Sequence, residues 1–176
     1  MAAEQQRGGP PEGFPALPPL APGRYTSQAF FDLEKQHLWS KVWLYAAHCS
    51  QLPEVGSYVL LDIPDAPIFL IRGRDERIRA FYNVCSHRGA PLVREPTGTA
   101  HQLRCTYHQW TYDPNGQLIA VMDERDFPPP FDKSCLGLQE VRCEQWGPWI
   151  FVNEDPNARP LLDWLGMIAT EFEQFE

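Results

Sequence analysis

No apolar run in this 176-residue chain approaches the ~18 residues that a membrane-spanning helix needs. A charged and apolar secretory leader is absent from the first residues as well. Positive charge is in short supply: 15 Lys and Arg stand against 23 Asp and Glu, a formal charge of −8. Phosphate binding needs clustered cations, so nucleic acid is not the expected partner. Cysteines number five, an odd count that does not suit a disulfide framework. These absences together predict a cytoplasmic protein without a membrane partner. Histidine is scarce, with five in the chain and none after His108.

What is there is concentrated. Cys85-Ser86-His87 and Cys105-Thr106-Tyr107-His108 are two metal-ligand pairs separated by seventeen residues. Each pair offers one thiolate and one imidazole. On an extended segment, residues i and i+2 project from one face, so a single loop can deliver both donors. The set suits a two-iron, two-sulfide cluster, with two cysteines on one iron and two histidines on the other. It also suits tetrahedral zinc. Zinc modules of this ligand set lean on the metal because they lack a core. Here 43% of residues are hydrophobic and 12% aromatic, enough for a core of the chain's own. The cluster is the preferred reading, and a zinc-stabilised interaction module is the alternative. Cys49, Cys135 and Cys143 read as ordinary thiols, and His37, His48 and His101 have no ligand partner at useful spacing.

With their flanks, His87-Arg88-Gly89 and His108-Gln109-Trp110-Thr111-Tyr112, the two pairs resemble the oxygenase branch of the Rieske family. The resemblance implies a [2Fe–2S] cluster held by Cys85, His87, Cys105 and His108. It further implies one-electron transfer as the Rieske part of an aromatic-ring-hydroxylating or amine-demethylating oxygenase. A free-standing Rieske ferredoxin-like carrier is the second reading. In such systems a reductase or ferredoxin donates the electron, a mononuclear-iron catalytic domain accepts it, and the full oxygenase is a homo-oligomer. Acidic chains dock readily with basic patches on redox partners. The mononuclear iron of an oxygenase needs two histidines and a carboxylate. With no histidine after His108, the chain is expected not to oxygenate a substrate alone.

The expected fold is mostly β, with small antiparallel sheets, two cluster-binding loops and helices at both ends. Residues 1–23 form a proline-rich leader, read as disordered. Residues 24–50 are expected to be a helical arm, capped by Thr26 or Ser27, with Phe31, Leu38 and Val42 along one face. The Rieske domain is expected over residues 51–154. Within it, Tyr58–Ile63, Ile68–Arg72, Arg77–Asn83, Val141–Gln145 and Trp149–Asn153 have the composition of strands. Asn115-Gly116 marks a hairpin, and Phe127-Pro128-Pro129-Pro130-Phe131 reads as a rigid connector. A helix near Leu161–Phe175 occupies the last segment, 155–176, which leads toward the position of a catalytic domain.

Family resemblance also assigns Gly147-Pro148 to a proline-bearing loop that shields the cluster. Ala90 and Tyr107 stand where respiratory-chain relatives have a cysteine pair. Trp110 stands where they have a serine that donates to a sulfide. Fewer donors to sulfur stabilise the reduced, more negative cluster less. The potential is therefore expected near the low end of the Rieske range, about −150 mV.

Overall fold

The computed structural model describes Gly13, residues 19–63 and residues 65–172. Most of the proline-rich leader therefore lies outside the described residues. Two short helices open the described chain, α1 (Gly23–Thr26) and α2 (Gln28–Glu34), and α2 runs into a wider π-helical turn over Lys35–Trp39. Ser27 caps α2 by accepting the Phe30 N–H at 3.4 Å. The expected apolar face is only partly realised, because Leu38 is exposed. The wider turn rotates Leu38 away from the line through Phe31.

The helical arm expected to residue 50 ends by Trp39. Trp43 is buried but lies beyond the helix, with its indole N–H donating to the Arg159 carbonyl at 2.9 Å. Leu44–His48 is strand β1.

Nine further strands follow: β2 (Ser57–Leu60), β3 (Ile68–Arg72), β4 (Ile78–Tyr82), β5 (Thr97–Thr99), β6 (Leu103–Arg104), β7 (Thr111–Tyr112), β8 (Leu118–Ala120), β9 (Glu140–Trp146) and β10 (Trp149–Asn153). Seven form one antiparallel sheet in the order β1-β10-β9-β4-β3-β2-β5, and β6, β7 and β8 form a second. Strand β3 explains how the two pack. Ile68, Phe69, Leu70 and Ile71 are all fully buried, so both of its faces are covered. Alternate residues point to opposite faces. Ile68 and Leu70 join Ala80, Val141, Ile150 and Val152 in an aliphatic core. Phe69 and Ile71 join Phe81, Leu103, Trp110 and Tyr112 in an aromatic core against the small sheet. Each of these large side chains contributes about 1.5–3 kcal/mol on burial.

Two buried polar residues shape the connections. Asn83 Oδ1 accepts from the Leu92 and Val93 N–H groups at 2.8 and 3.0 Å, and its Nδ2 donates to the Val93 carbonyl at 2.7 Å. Asp113 Oδ1 accepts from the Asn115 and Gln117 N–H groups at 2.9 and 3.0 Å. This Asx-type turn, with Gly116 at φ +84°, closes the predicted hairpin between β7 and β8.

At the far end, α3 (Leu161–Leu165) and α4 (Met167–Phe172) replace the single expected helix. Gly166 separates them with a positive φ of +55°, which glycine adopts without steric cost; residues 173–176 lie outside the described set. Leu161 and Leu165 pack on Trp43, with Trp146 and Phe151 alongside.

Candidate functional site

Cys85 follows β4, and Cys105 follows β6 directly. Each begins a tight loop with the same hydrogen-bonded frame. In loop 1 the Cys85 N–H donates to the Ala90 carbonyl at 2.8 Å, and the Gly89 N–H donates to the Cys85 carbonyl at 2.9 Å. In loop 2 the Cys105 N–H donates to the Trp110 carbonyl at 2.9 Å, and the Gln109 N–H donates to the Cys105 carbonyl at 3.0 Å. The fifth residue of each loop has a positive φ, +72° at Gly89 and +60° at Gln109. Glycine adopts that conformation freely; a side chain there costs roughly 1–2 kcal/mol.

The loops set the predicted ligand residues in two pairs, Cys85 with Cys105 in one buried cluster and His87 with His108. Cys85 and Cys105 are buried, each 2% exposed. The rings of His87 and His108 lie edge to face with centroids 4.6 Å apart. Among the described residues no three His, Cys, Asp or Glu gather as they would around a single ion. The four donors instead sort into a pair of thiols and a pair of imidazoles. That sorting fits a two-iron cluster with thiolates on one iron and imidazoles on the other. A single tetrahedral zinc would need all four to converge.

A second observation points the same way. His87 Nδ1 is buried without a hydrogen-bond partner. An orphaned buried nitrogen is costly unless something else takes its lone pair, and a metal does so.

The electrostatics treat the two donor types differently. Burial pushes the Cys85 thiol up from its ordinary value, with the nearby Cys105 adding to the rise and the Tyr112 hydroxyl opposing it. Burial, His108 and Arg88 push His87 down. Without metal Cys85 and His87 thus favour a neutral thiol and a neutral imidazole; the imidazole is already in the form that ligates, whereas the thiol must give up its proton to a metal.

Aromatic rings wall the site. Trp110 stacks on His87, with planes 7° apart and centroids at 4.8 Å. Phe127 meets Trp110 at 6.0 Å and stacks on Phe131 at 4.6 Å. The segment read from sequence as a mere connector therefore covers the His87 side.

Gly147-Pro148, expected to shield the cluster, does not. It forms the turn between β9 and β10, where the Pro148 carbonyl accepts from Cys49 N–H. Its neighbour Trp146 packs with Trp149 and Phe172. Strand β9 meets β4 near Glu140 and Val141, so its other end carries the turn away from the loops.

Tyr112 is the functional residue that sequence reasoning passed over. It is fully buried, with its hydroxyl 3.3 Å from Cys85 Sγ. The Ser86 N–H donates to the same oxygen at 3.1 Å. With that lone pair engaged, the hydroxyl proton is free to point at sulfur. Burial and Cys85 both hold the phenol proton more tightly than usual. The absence of the serine donor is thus partly offset by a donor two residues after Trp110.

On the outer side, His87 and His108 open into a depression of about 320 Å³ together with Tyr107, Gln109, Asp123 and Phe127. Tyr107 is 61% exposed and lies over His108 at 3.7 Å. One edge of the imidazole pair thus faces the surface while the thiols stay inside.

Residues 42–130 match the Rieske [2Fe-2S] domain, and the chain belongs to that family. Its cofactor is accordingly the Rieske-type [2Fe–2S] cluster. The chain is 39% identical over 144 residues to the 2-aminobenzenesulfonate 2,3-dioxygenase subunit alpha of Alcaligenes sp, covering 81% of this chain and 36% of that protein. It is 38% identical over 159 residues to the carnitine monooxygenase oxygenase subunit of Escherichia coli (strain K12), covering 88% and 42%.

Among solved structures, an apo quaternary ammonium Rieske monooxygenase superposes with TM-score 0.79 at 33% identity, covering 86% of this chain and 44% of that one. A naphthalene 1,2-dioxygenase with indole in its active site superposes with TM-score 0.75 at 38% identity, covering 81% and 32%. The chain thus spans less than half the length of these relatives. No helix among the described residues is long and apolar enough to cross a membrane.

Proposed function

We propose that the chain is the electron-relay part of a Rieske oxygenase α subunit. In this reading Cys85 and Cys105 hold one iron, and His87 and His108 hold the other. When bound, the cluster supplies a one-electron couple. The single observation that carries the proposal is the sorting of the four donors, thiols inward and imidazole edges toward a surface depression. Trp110, Phe127 and Phe131 keep water from the His87 face. Tyr112 offers its proton to Cys85 Sγ. The outer edges of the imidazoles are the short way out for an electron.

A reductase or ferredoxin would supply electrons, and a mononuclear-iron catalytic domain on a neighbouring copy would accept them. The relatives named above act on aromatic and quaternary-amine compounds, so the system served belongs to one of those classes of oxygenase. None of the five cysteines forms a disulfide, which suits work in the reducing cytoplasm.

The test is anaerobic reduction of the purified chain by a Rieske-system reductase and NADH. The expected result is uptake of one electron per chain, and no hydroxylated or demethylated product when substrate and air are then admitted. Substrate-dependent product from this chain alone would overturn the relay role. Failure to take up any electron, even from dithionite, would do the same.

A further inference from the structure

Residues 89 and 109 occupy the same place in two equivalent loops, yet only one of them is glycine. Gln109 holds a left-handed backbone at φ +60°, a conformation that persists in a non-glycine residue only where its surroundings enforce it. What enforces it is visible. Gln109 Oε1 accepts from Arg104 Nη2, and the Gln109 carbonyl accepts from Thr111 Oγ1 at 3.0 Å. Arg104 immediately precedes Cys105, and Gln109 immediately follows His108. The side-chain bond therefore crosses the base of loop 2 with both ligand residues inside it.

Loop 1 has no such bond. Its equivalent residues are Val84 and Gly89, and a Cβ at Gly89 would meet only Val84 Cγ1, at 4.0 Å. The two histidines differ in their packing in the complementary sense. His87 is stacked on the buried ring of Trp110. The ring nearest His108 belongs to the exposed Tyr107, which cannot immobilise it.

We infer that Arg104 and Gln109 form a positioning strap for His108, supplying the constraint that Trp110 packing gives His87. Glycine at position 109 would relax the backbone but has no carboxamide to close the strap. Gln109 also lines the depression beside His108, so the strap steadies the imidazole at the surface where a partner must approach. The inference rests on the proposed ligand role of His108 and deepens that reading.

The test uses the reduced holoprotein and four variants: Arg104→Ala, Gln109→Gly, the two combined, and Gln109→Glu. Pulsed EPR reads the hyperfine couplings of the ligand nitrogens. Transfer of iron to a chelator reads the rate of cluster loss. Arg104→Ala should broaden the coupling of one nitrogen while sparing the other. It should also speed cluster loss by roughly three- to tenfold, the range of a net hydrogen bond. Gln109→Gly should broaden the same nitrogen, and adding Arg104→Ala to it should change nothing more, as expected for two halves of one interaction. Gln109→Glu keeps an acceptor and should keep the wild-type spectrum.

Unchanged couplings in Arg104→Ala, or additive effects in the combined variant, would overturn the strap while leaving the relay reading intact. A wild-type spectrum with no nitrogen coupling at all would overturn both.

Discussion

The two faces of β3 look alike in burial and differ in kind. Ile68 and Leu70 face an aliphatic core drawn from six strands of the large sheet. Phe69 and Ile71 face an aromatic core in which two of the buried residues are Cys85 and Cys105, the proposed ligand cysteines. The first core is closed by long, continuous ladders such as β3–β4 and β9–β10. The second is closed by strands of two or three residues and by two loops. The aliphatic side can therefore hold itself by hydrophobic burial, whereas in the proposed reading the loops of the aromatic side take part of their order from the cluster. Both faces of the strand contribute burial, and the proposed electron-transfer site lies on one of them.

The sharpest way to break this comparison is to remove a ligand. Cys105→Ala should abolish the visible spectrum altogether and strip hydrogen-exchange protection from residues 85–90 and 105–110. Protection in β3, β4, β9 and β10 should survive. The exposed Cys135 serves as the control, because Cys135→Ala should leave the spectrum intact. Collapse of the whole sheet in the Cys105 variant would show that the two faces are not separable.

The converse is Leu70→Ala, which should cost about 2–5 kcal/mol by chemical denaturation while leaving the spectrum of the folded fraction unchanged.

A smaller effect is expected at Tyr112. Tyr112→Phe removes the hydroxyl beside Cys85 Sγ and leaves the Ser86 N–H without its acceptor. The hydroxyl favours the more negative, reduced state, so the potential should fall. A tenfold change in the one-electron equilibrium corresponds to about 60 mV, and that is the size expected in a voltammetric titration. An unchanged potential would remove Tyr112 from the site.

The smallest effect concerns pH at the rim of the aliphatic core. Burial and the Glu154 carboxylate, which accepts from the Tyr82 hydroxyl at 2.8 Å, push the Tyr82 phenol up to about 12. A folded-state value above the ordinary one near 10 means that the native state holds the proton longer. The stability from this group is whole below pH about 10 and is lost as pH rises through about 12. Denaturation curves between pH 9 and 12 should show a shallower alkaline loss in Tyr82→Phe than in the wild type.

The same contrast explains what could be read from sequence. Five strands of the large sheet announce themselves by β-branched and aromatic runs, and β3 lies where composition places it, whereas β1 falls inside the expected helical arm and the short β5 carries no such run. The hairpin at Asn115-Gly116 follows from the positive φ its turn requires. The four proposed ligand residues stand out by type and spacing, although the tertiary pairing that sets their loops side by side does not.

Three features were out of reach for physical reasons. Gly-Pro marks a turn wherever it occurs, so nothing local says that Gly147-Pro148 lies away from the loops. The role of Phe127 and Phe131 depends on a fold-back that proline-rich sequence does not encode by period. Tyr112 reads as one more β-strand aromatic; only the register of β7 against β6 and its buried position reveal a hydroxyl beside Cys85. Gln109 carried a faint signal, in that it takes the place that Gly89 takes in the first loop.

The measurement that bears most directly on the account is an EPR-monitored redox titration of the purified chain. The account predicts one paramagnetic centre per chain on one-electron reduction, nitrogen couplings from two histidines, and a midpoint near the low end of the Rieske range, about −150 mV. Stoichiometric zinc with no paramagnetic centre on reduction would contradict it, and so would a reduced centre without nitrogen coupling.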